Sequence, residues 1–199
     1  MAARQLSPAS DQPLSRAVVD EYVGAQAIAR GNALRLVYSA ADHADQPVWF
    51  CGRCAAPSPL DEPPAPYARV CPSCGLGLLL ETRADGKPEP DDAFLVVDAS
   101  LAVQALSERA EELLEVTEPA AVGRPVRELL APAGAEDGNE PEFIRALIDA
   151  ASGGDGFKWT FVRPRNTFGV RLRARIGACG PPRGVLIVLE SGRSRLRIV

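Results

Sequence analysis

The chain has 199 residues, 46% hydrophobic and 24% charged, enough apolar material for one or two small packed domains, which excludes a disordered tail or a collagen-like rod. No run of about eighteen apolar residues occurs, and the polar start MAARQLSPASDQPLSR lacks a signal peptide's hydrophobic stretch, so a soluble cytoplasmic protein without membrane contact is expected. The net charge of -4 conceals an asymmetry: residues 157–199 hold ten basic side chains (Lys158 and nine arginines) against one acid, Glu190, giving +9 there and -13 elsewhere.

In chain order, residues 1–45 form a first segment. Val18, Tyr22, Ala25, Ile28 and Ala29 recur at helical spacing and Leu36 continues the stripe, which predicts an amphipathic helix over 13–39, or two helices broken near Gly31-Asn32. Such a helix buries its apolar face only against the rest of the chain or a second copy. Residues 46–82 carry two cysteine pairs, and the prolines of the intervening AAPSPLDEPPAPYARV forbid a helix there, so a loop tied at both ends is expected. RADGKPEPDD (83–92) reads as a linker to a domain over 93–199. In that domain AFLVVDA (93–99) and LAVQALS (101–107) are strands, and SERAEELLEV (107–116) is a helix with Ser107 at its cap. A short helical turn follows within TEPAAVGRPVRELL, then a helix over 140–152 with Phe143, Leu147 and Ile148 on one face. Strands at 156–165, 169–180 and 184–191 close the domain, giving an α+β class with an antiparallel sheet.

FLVVDASLAVQALSERAEELLEVTEPAAVGRPVRELL, with the helix and three strands after it, resembles the PAS domain family over about residues 93–191. The resemblance implies a five-stranded antiparallel sheet with flanking helices, in which the first and last strands are neighbours and the Arg-rich strand adjoins them. It also implies a sensory or partner-binding role. The residues do not support the family's chromophores, because the 140–152 helix has no histidine for haem and no G-x-N-C-R-F pattern for a flavin precedes it. A non-covalent ligand between sheet and helices would be lined by Phe157, Trp159, Phe161 and Leu172; the competing reading is a filled core, since alternating apolar residues are what any half-buried sheet requires.

Cys51-Gly-Arg-Cys54 and Cys71-Pro-Ser-Cys74 are separated by sixteen residues, the spacing of a four-cysteine zinc site, and the second pair resembles a zinc-ribbon or rubredoxin knuckle. Each C-x-x-C turn directs two thiolates at one metal, and two turns complete a tetrahedron, so Cys51, Cys54, Cys71 and Cys74 are expected to hold a structural zinc. Iron in the same sulfurs would make a redox carrier; a thioredoxin-type site lacks its helix, and a cytosolic setting opposes disulfides. Ala55 stands where such knuckles often have glycine. His43 reads as a solvated loop residue. Cys179 reads as a turn residue, with a redox-sensing thiol near Arg183 as the alternative. Gly153-Gly154-Asp155-Gly156-Phe157 resembles the GGDEF motif but lacks its Glu, and reads as a turn into a strand.

Arg171, Arg173 and Arg175 share one face of their strand and are candidates for binding an acidic partner. Residues 47–88, the cysteine module and the start of the linker, are neutral, with Arg53, Arg69, Arg83 and Lys87 against Asp61, Glu62, Glu81 and Asp85, so nucleic acid ranks below a protein partner. The apolar strands 93–99 and 184–191 call for a cover on the outer sheet face, for which the N-terminal helix with Asp20 and Glu21 is the candidate; that helix and the outer face would also serve a homodimer. The chain has one histidine, no phosphate-binding glycine loop and no open metal site, so a non-enzymatic regulatory or sensory protein is expected. A nucleic-acid-binding transcription regulator and a rubredoxin-like carrier are the alternatives.

Overall fold

The computed structural model describes residues 26–29, 34–37, 44–59, 63–133 and 140–190. The chain divides into two compact units, residues 1–42 and 43–199, each described by itself. In the first, β1 (Gln26–Ala29) and β2 (Leu34–Val37) pair antiparallel with Ala29 opposite Leu34. The helix predicted over 13–39 is therefore corrected at these positions; its remainder, with Asp20 and Glu21, lies outside the described residues. Gly31 and Asn32 favour a turn over a helix, and the short apolar runs on either side fit a period of two as well as one of 3.6.

The second unit is built from the hairpin β3 (Pro47–Cys51) and β4 (Leu79–Arg83), then β5 (Ala93–Asp98), β6 (Val103–Leu106), α1 (Glu108–Leu114), α2 (Glu118–Ala121), β7 (Leu130–Pro132), α3 (Glu140–Ala151), β8 (Lys158–Pro164), β9 (Leu172–Cys179) and β10 (Gly184–Glu190). Six strands form one antiparallel sheet in the order β6-β5-β10-β9-β8-β7. The first and last strands of the domain are neighbours and the Arg-rich strand adjoins them, as the resemblance implies. The sheet has six strands where five were expected. The extra strand, β7, follows a 3-10 turn at Val126–Glu128, and three residues are too few to show a strand period.

β5 and β10 lie at the centre and have no polar face: AFLVV and GVLIVL are buried throughout. On the inner side Leu95, Val97, Ile176, Val185 and Ile187 pack against Phe143, Ala146, Leu147 and Ala150 of α3. These helix positions recur at three and four, the apolar stripe of one face. Ile148, expected on that face, is instead 55% exposed. Ser107 caps α1 by accepting from the Ala110 amide at 3.2 Å, and its hydroxyl also accepts from the Phe94 amide at 2.9 Å, so the cap ties the helix to β5.

The outer side of β5 and β10 is covered by the cysteine module. Phe50, Ala55 and Leu80 form a second core with Phe94, Val96, Leu186, Val188 and Cys179. The rings of Phe50 and Phe94 meet edge-to-face, centroids 6.2 Å apart at 72°. Backbone bonds join the two layers, Glu81 N to Gly180 O at 2.5 Å and Gly180 N to Glu81 O at 3.0 Å, and the Thr82 hydroxyl donates to Ala178 O at 3.1 Å. Arg53 is ion-paired with Glu118, and Arg69 donates to the Pro181 carbonyl.

The polar stretch after β4, read as a linker, lies against the sheet. Residues Ala84–Gly86 form a 3-10 turn, Arg175 donates to the Asp85 carbonyl at 2.6 Å, and the Phe157 ring occupies the space where a Gly86 side chain would stand. A Cβ at Gly86 would sit 1.7 Å from that ring.

Two stability outcomes follow from this layer. Phe50→Ala should cost about 3–5 kcal/mol of unfolding free energy through the cavity it leaves, and Phe94→Ala added to it should cost less than the sum, since the two rings share one contact. Gly86→Ala should lower the thermal midpoint, and Phe157→Ala in the same chain should recover part of that loss. Thermal melts of these five variants, Phe94→Ala alone included, check both.

Candidate metal centre

β3 runs into the first cysteine turn, and the second turn runs into β4, so one hairpin brings the two knuckles together. They are built alike. Ala55 N donates to Cys51 O at 3.0 Å and Gly75 N to Cys71 O at 2.9 Å; Cys51 N reaches Ala56 O at 2.8 Å and Cys71 N reaches Gly77 O at 2.7 Å. Each turn ends on a left-handed residue, φ 58° at Ala55 and φ 68° at Gly75. Glycine takes that conformation without cost; alanine pays roughly 1–2 kcal/mol. The Ala55 methyl offsets this by filling the core against Phe50, where its exposure is zero. Gly77 is held by close approach, because a Cβ there would stand 2.4 Å from the Cys51 sulfur.

The four sulfurs lie within 4.8 Å of one another. Cys51 and Cys74 are 3.7 Å apart, Cys54 and Cys71 3.8 Å. A disulfide needs about 2.05 Å, whereas a tetrahedron with metal–sulfur bonds of about 2.3 Å has edges of about 3.8 Å. The spacing therefore fits one tetrahedral ion and excludes bridges within these pairs. Backbone amides aim at the sulfurs, Arg53 N at 3.4 Å and Cys54 N at 3.5 Å from Cys51 Sγ, and Gly77 N at 3.4 Å from Cys74 Sγ. Such donors favour the thiolate.

Cys51 and Cys71 are buried, Cys54 and Cys74 half-buried. Burial pushes the Cys51 thiol well above its ordinary range, against the amides of Cys54 and Arg53, and burial raises Cys54 too. At Cys74 burial also opposes ionisation, but the Gly77 and Leu76 amides and the thiols of Cys51 and Cys54 outweigh it and bring the group down to about 6. In the metal-free cluster Cys74 is thus a ready thiolate at neutral pH, beside the Cys51 and Cys54 thiols, which give up protons when a cation arrives. Four thiolates on a tetrahedral ion leave no position for water.

The other expected site residues are not brought together. Leu172 is in the inner core, while Phe157, Trp159 and Phe161 are on the outer face, so the four do not line a common pocket. Phe157 lies under the 84–86 turn. Arg171, Arg173 and Arg175 share the outer face with the aromatic residues and stack on them: Arg171 lies over Phe161 at 3.9 Å and Arg173 over Trp159 at 3.7 Å. Cys179 is buried beneath the hairpin, and burial pushes its thiol up to about 12, the opposite of a reactive thiolate. His43 lies outside the described residues. Two features went unread in the sequence: the Arg53–Glu118 pair and a cavity of about 790 Å³ beside it, floored by Leu78 and Leu80 of the hairpin, Val96 and Ala105 of the sheet, and Pro119 and Val122. Residues so far apart in the chain leave no local signal.

No family model and no curated protein matches the chain. Among solved structures it is similar to the photoactive yellow protein domain of the sensor histidine kinase Ppr from Rhodospirillum centenum, at 18% identity and TM-score 0.38, covering 50% of this chain and 84% of that one. It is also similar to a domain of a sensory box sensor histidine kinase/response regulator from Geobacter sulfurreducens, at 13% identity and TM-score 0.37, covering 50% and 82%. A third similarity is to the DhaR(N)-DhaL complex of E. coli, at 14% identity and TM-score 0.35, covering 50% of this chain and 31% of that one. The arrangement of the fold rests on the strand order and register given above. No helix among the described residues is long and apolar enough to cross a membrane.

Cys54→Ser and Cys74→Ser should each lower the bound metal well below one ion per chain, while Cys179→Ala should retain it; metal analysis of the purified variants checks this. Because Cys51 and Cys54 hold protons that the metal must displace, affinity should rise with pH. It should fall most steeply once pH drops below about 6, where Cys74 is protonated as well. Competition with a chromophoric chelator across pH 5–8 measures that slope.

Proposed function

We propose that this chain is a non-enzymatic regulatory protein in which the four cysteines hold a structural zinc and a PAS-like domain reads a small ligand or a protein partner. The observation that carries the reading is the second core. The hairpin that presents the cysteines has its opposite face packed on the central strands of the sheet, so adjacent residues of the same two strands, Phe50 and Cys51, Leu80 and Leu79, line the sheet's outer core and the sulfur cluster. The cavity beside the Arg53–Glu118 pair supplies the ligand site on this reading, in place of the Phe157, Trp159, Phe161 and Leu172 set. It has an apolar floor and a few polar groups at its walls, among them Asp98 and Gln104, the composition of a small-molecule pocket. A ligand there would touch the hairpin and the sheet together.

Native mass spectrometry of freshly purified protein tests metal, retained ligand and oligomeric state in one spectrum; one zinc per chain is expected. Hydrogen exchange then tests the coupling, since chelation should raise exchange in β5 and β10, whose outer cover the hairpin provides. Iron with a thiolate absorption band would move the protein to the class of redox carriers. A metal-free chain, or unchanged exchange after chelation, would overturn the reading.

A further inference from the structure

The described residues cover the outer face of the sheet only in part. Over β8 and β9 it carries arginines and aromatic rings in register: Trp159 is opposite Arg175 and Phe161 opposite Arg173. The guanidinium groups of Arg171 and Arg173 lean one step along the strands and stack diagonally, and that of Arg175 lies between Trp159 and Phe157, so rings and guanidinium groups alternate in a column. Arg171 lies over Phe161 at 3.9 Å, Arg173 over Trp159 at 3.7 Å, and Arg175 is 5.7 Å from Trp159 and 5.8 Å from Phe157. Trp159 and Phe161 remain 44% and 40% exposed. Stacking fixes the plane of each guanidinium and leaves its N–H edge for an anion.

Few acids answer this column. Among the described residues, the ion partner of Arg173 is Glu190 at 4.0 Å, and Arg175 is held at its inner end by a backbone carbonyl. β10 ends at Glu190, directly opposite Arg173. A second copy of the chain is a poor occupant, because an isologous contact would set arginines against arginines. A carboxylate-bearing peptide would satisfy the charge but has no use for the exposed rings.

We propose that this column is a binding surface for single-stranded nucleic acid, whose phosphates take the guanidinium edges and whose unstacked bases lie against the rings and guanidinium planes. The cysteine hairpin contributes no side chain to this column, and Asp85, in the turn after it, contributes only a backbone carbonyl to Arg175. Same-face residues repeat every 6.8 Å or so along an extended strand, which gives Arg171, Arg173 and Arg175 a regular spacing along which an extended polyanion can run.

The test is fluorescence anisotropy of the full-length, metal-loaded chain with labelled U12 RNA and T12 DNA over a range of KCl. Saturable binding is expected, with a log–log salt slope of about -2, three phosphates at roughly 0.7 each. Arg173→Gln should reduce the slope by about 0.7. Trp159→Leu, which leaves the charge unchanged, should weaken binding roughly 5- to 100-fold, and Trp159→Tyr should restore most of it. Melting temperature and bound metal, measured on each variant, separate this from misfolding, since these side chains are at the surface. No binding at about 50 mM salt would overturn the proposal. So would equal affinity for Trp159→Leu and for a duplex of the same length, which reduces the surface to bulk charge. Displacement of the oligonucleotide by a twelve-residue glutamate-rich peptide of higher affinity would overturn it too, assigning the column to an acidic protein.

Discussion

Two apolar strands at the centre of a sheet have to be covered on both sides, and the architecture of residues 44–190 answers that requirement. Phe94, Val96, Leu186 and Val188 point away from the helices and are 0 to 6% exposed. Burying a side chain of this kind contributes roughly 1.5–3 kcal/mol, so the four together are comparable with the whole stability of a domain, about 5–15 kcal/mol. An uncovered outer face would leave the sheet marginal and adhesive. The cysteine hairpin is therefore part of the domain's core, although it precedes the domain in sequence and looks like a separate module.

The hairpin serves two cores because a strand alternates. Phe50 and Cys51 are adjacent and point to opposite faces; Leu80 and Leu79 are their cross-strand partners and do the same. Phe50 and Leu80 enter the sheet's outer core, while Cys51 and Leu79 enclose the sulfur cluster with Cys71. A segment of this size cannot bury enough surface to fold alone. It is held from one side by the sheet and, with a metal bound, from the other by the bonds that close the loop between its cysteine pairs. Either support defines where the other can act.

How much of this was legible follows from which signals are local. The two cysteine pairs that cluster, the capping Ser107, the apolar strands of β5 and β10 and the α3 stripe over Phe143 and Leu147 are patterns within a few residues, and each is found where its pattern lies. The need for an outer cover was also legible, from strands with no polar face. Its identity was not, since Phe50 meets Phe94 through a fold that no periodicity encodes, and a helix-like stripe at the N-terminus offered a nearer candidate. The aromatic residues of β8 were placed with the inward side chains of β9 for a related reason. Alternation shows that Phe157, Trp159 and Phe161 share a face, but only the register of β8 against β9 shows that it is the face of Arg173 and Arg175 and not that of Leu172.

The charge asymmetry of the sequence thus maps onto a division of one sheet face. Over β5 and β10 the outer residues are Phe, Val and Leu, and the hairpin covers them; over β8 and β9 they are Trp, Phe and Arg, and rings and guanidinium groups partner one another. The boundary is the 84–86 turn, where Gly86 admits the Phe157 ring and the Asp85 carbonyl takes the innermost arginine, Arg175. β4 ends at Arg83, directly before this turn, which leaves no slack between the strand facing the sulfur cluster and the first contact with the arginine column. A shift of the hairpin along the sheet would have to move Asp85 relative to Arg175 or break the bond between them, so the two halves of the face are mechanically joined although their chemistry differs.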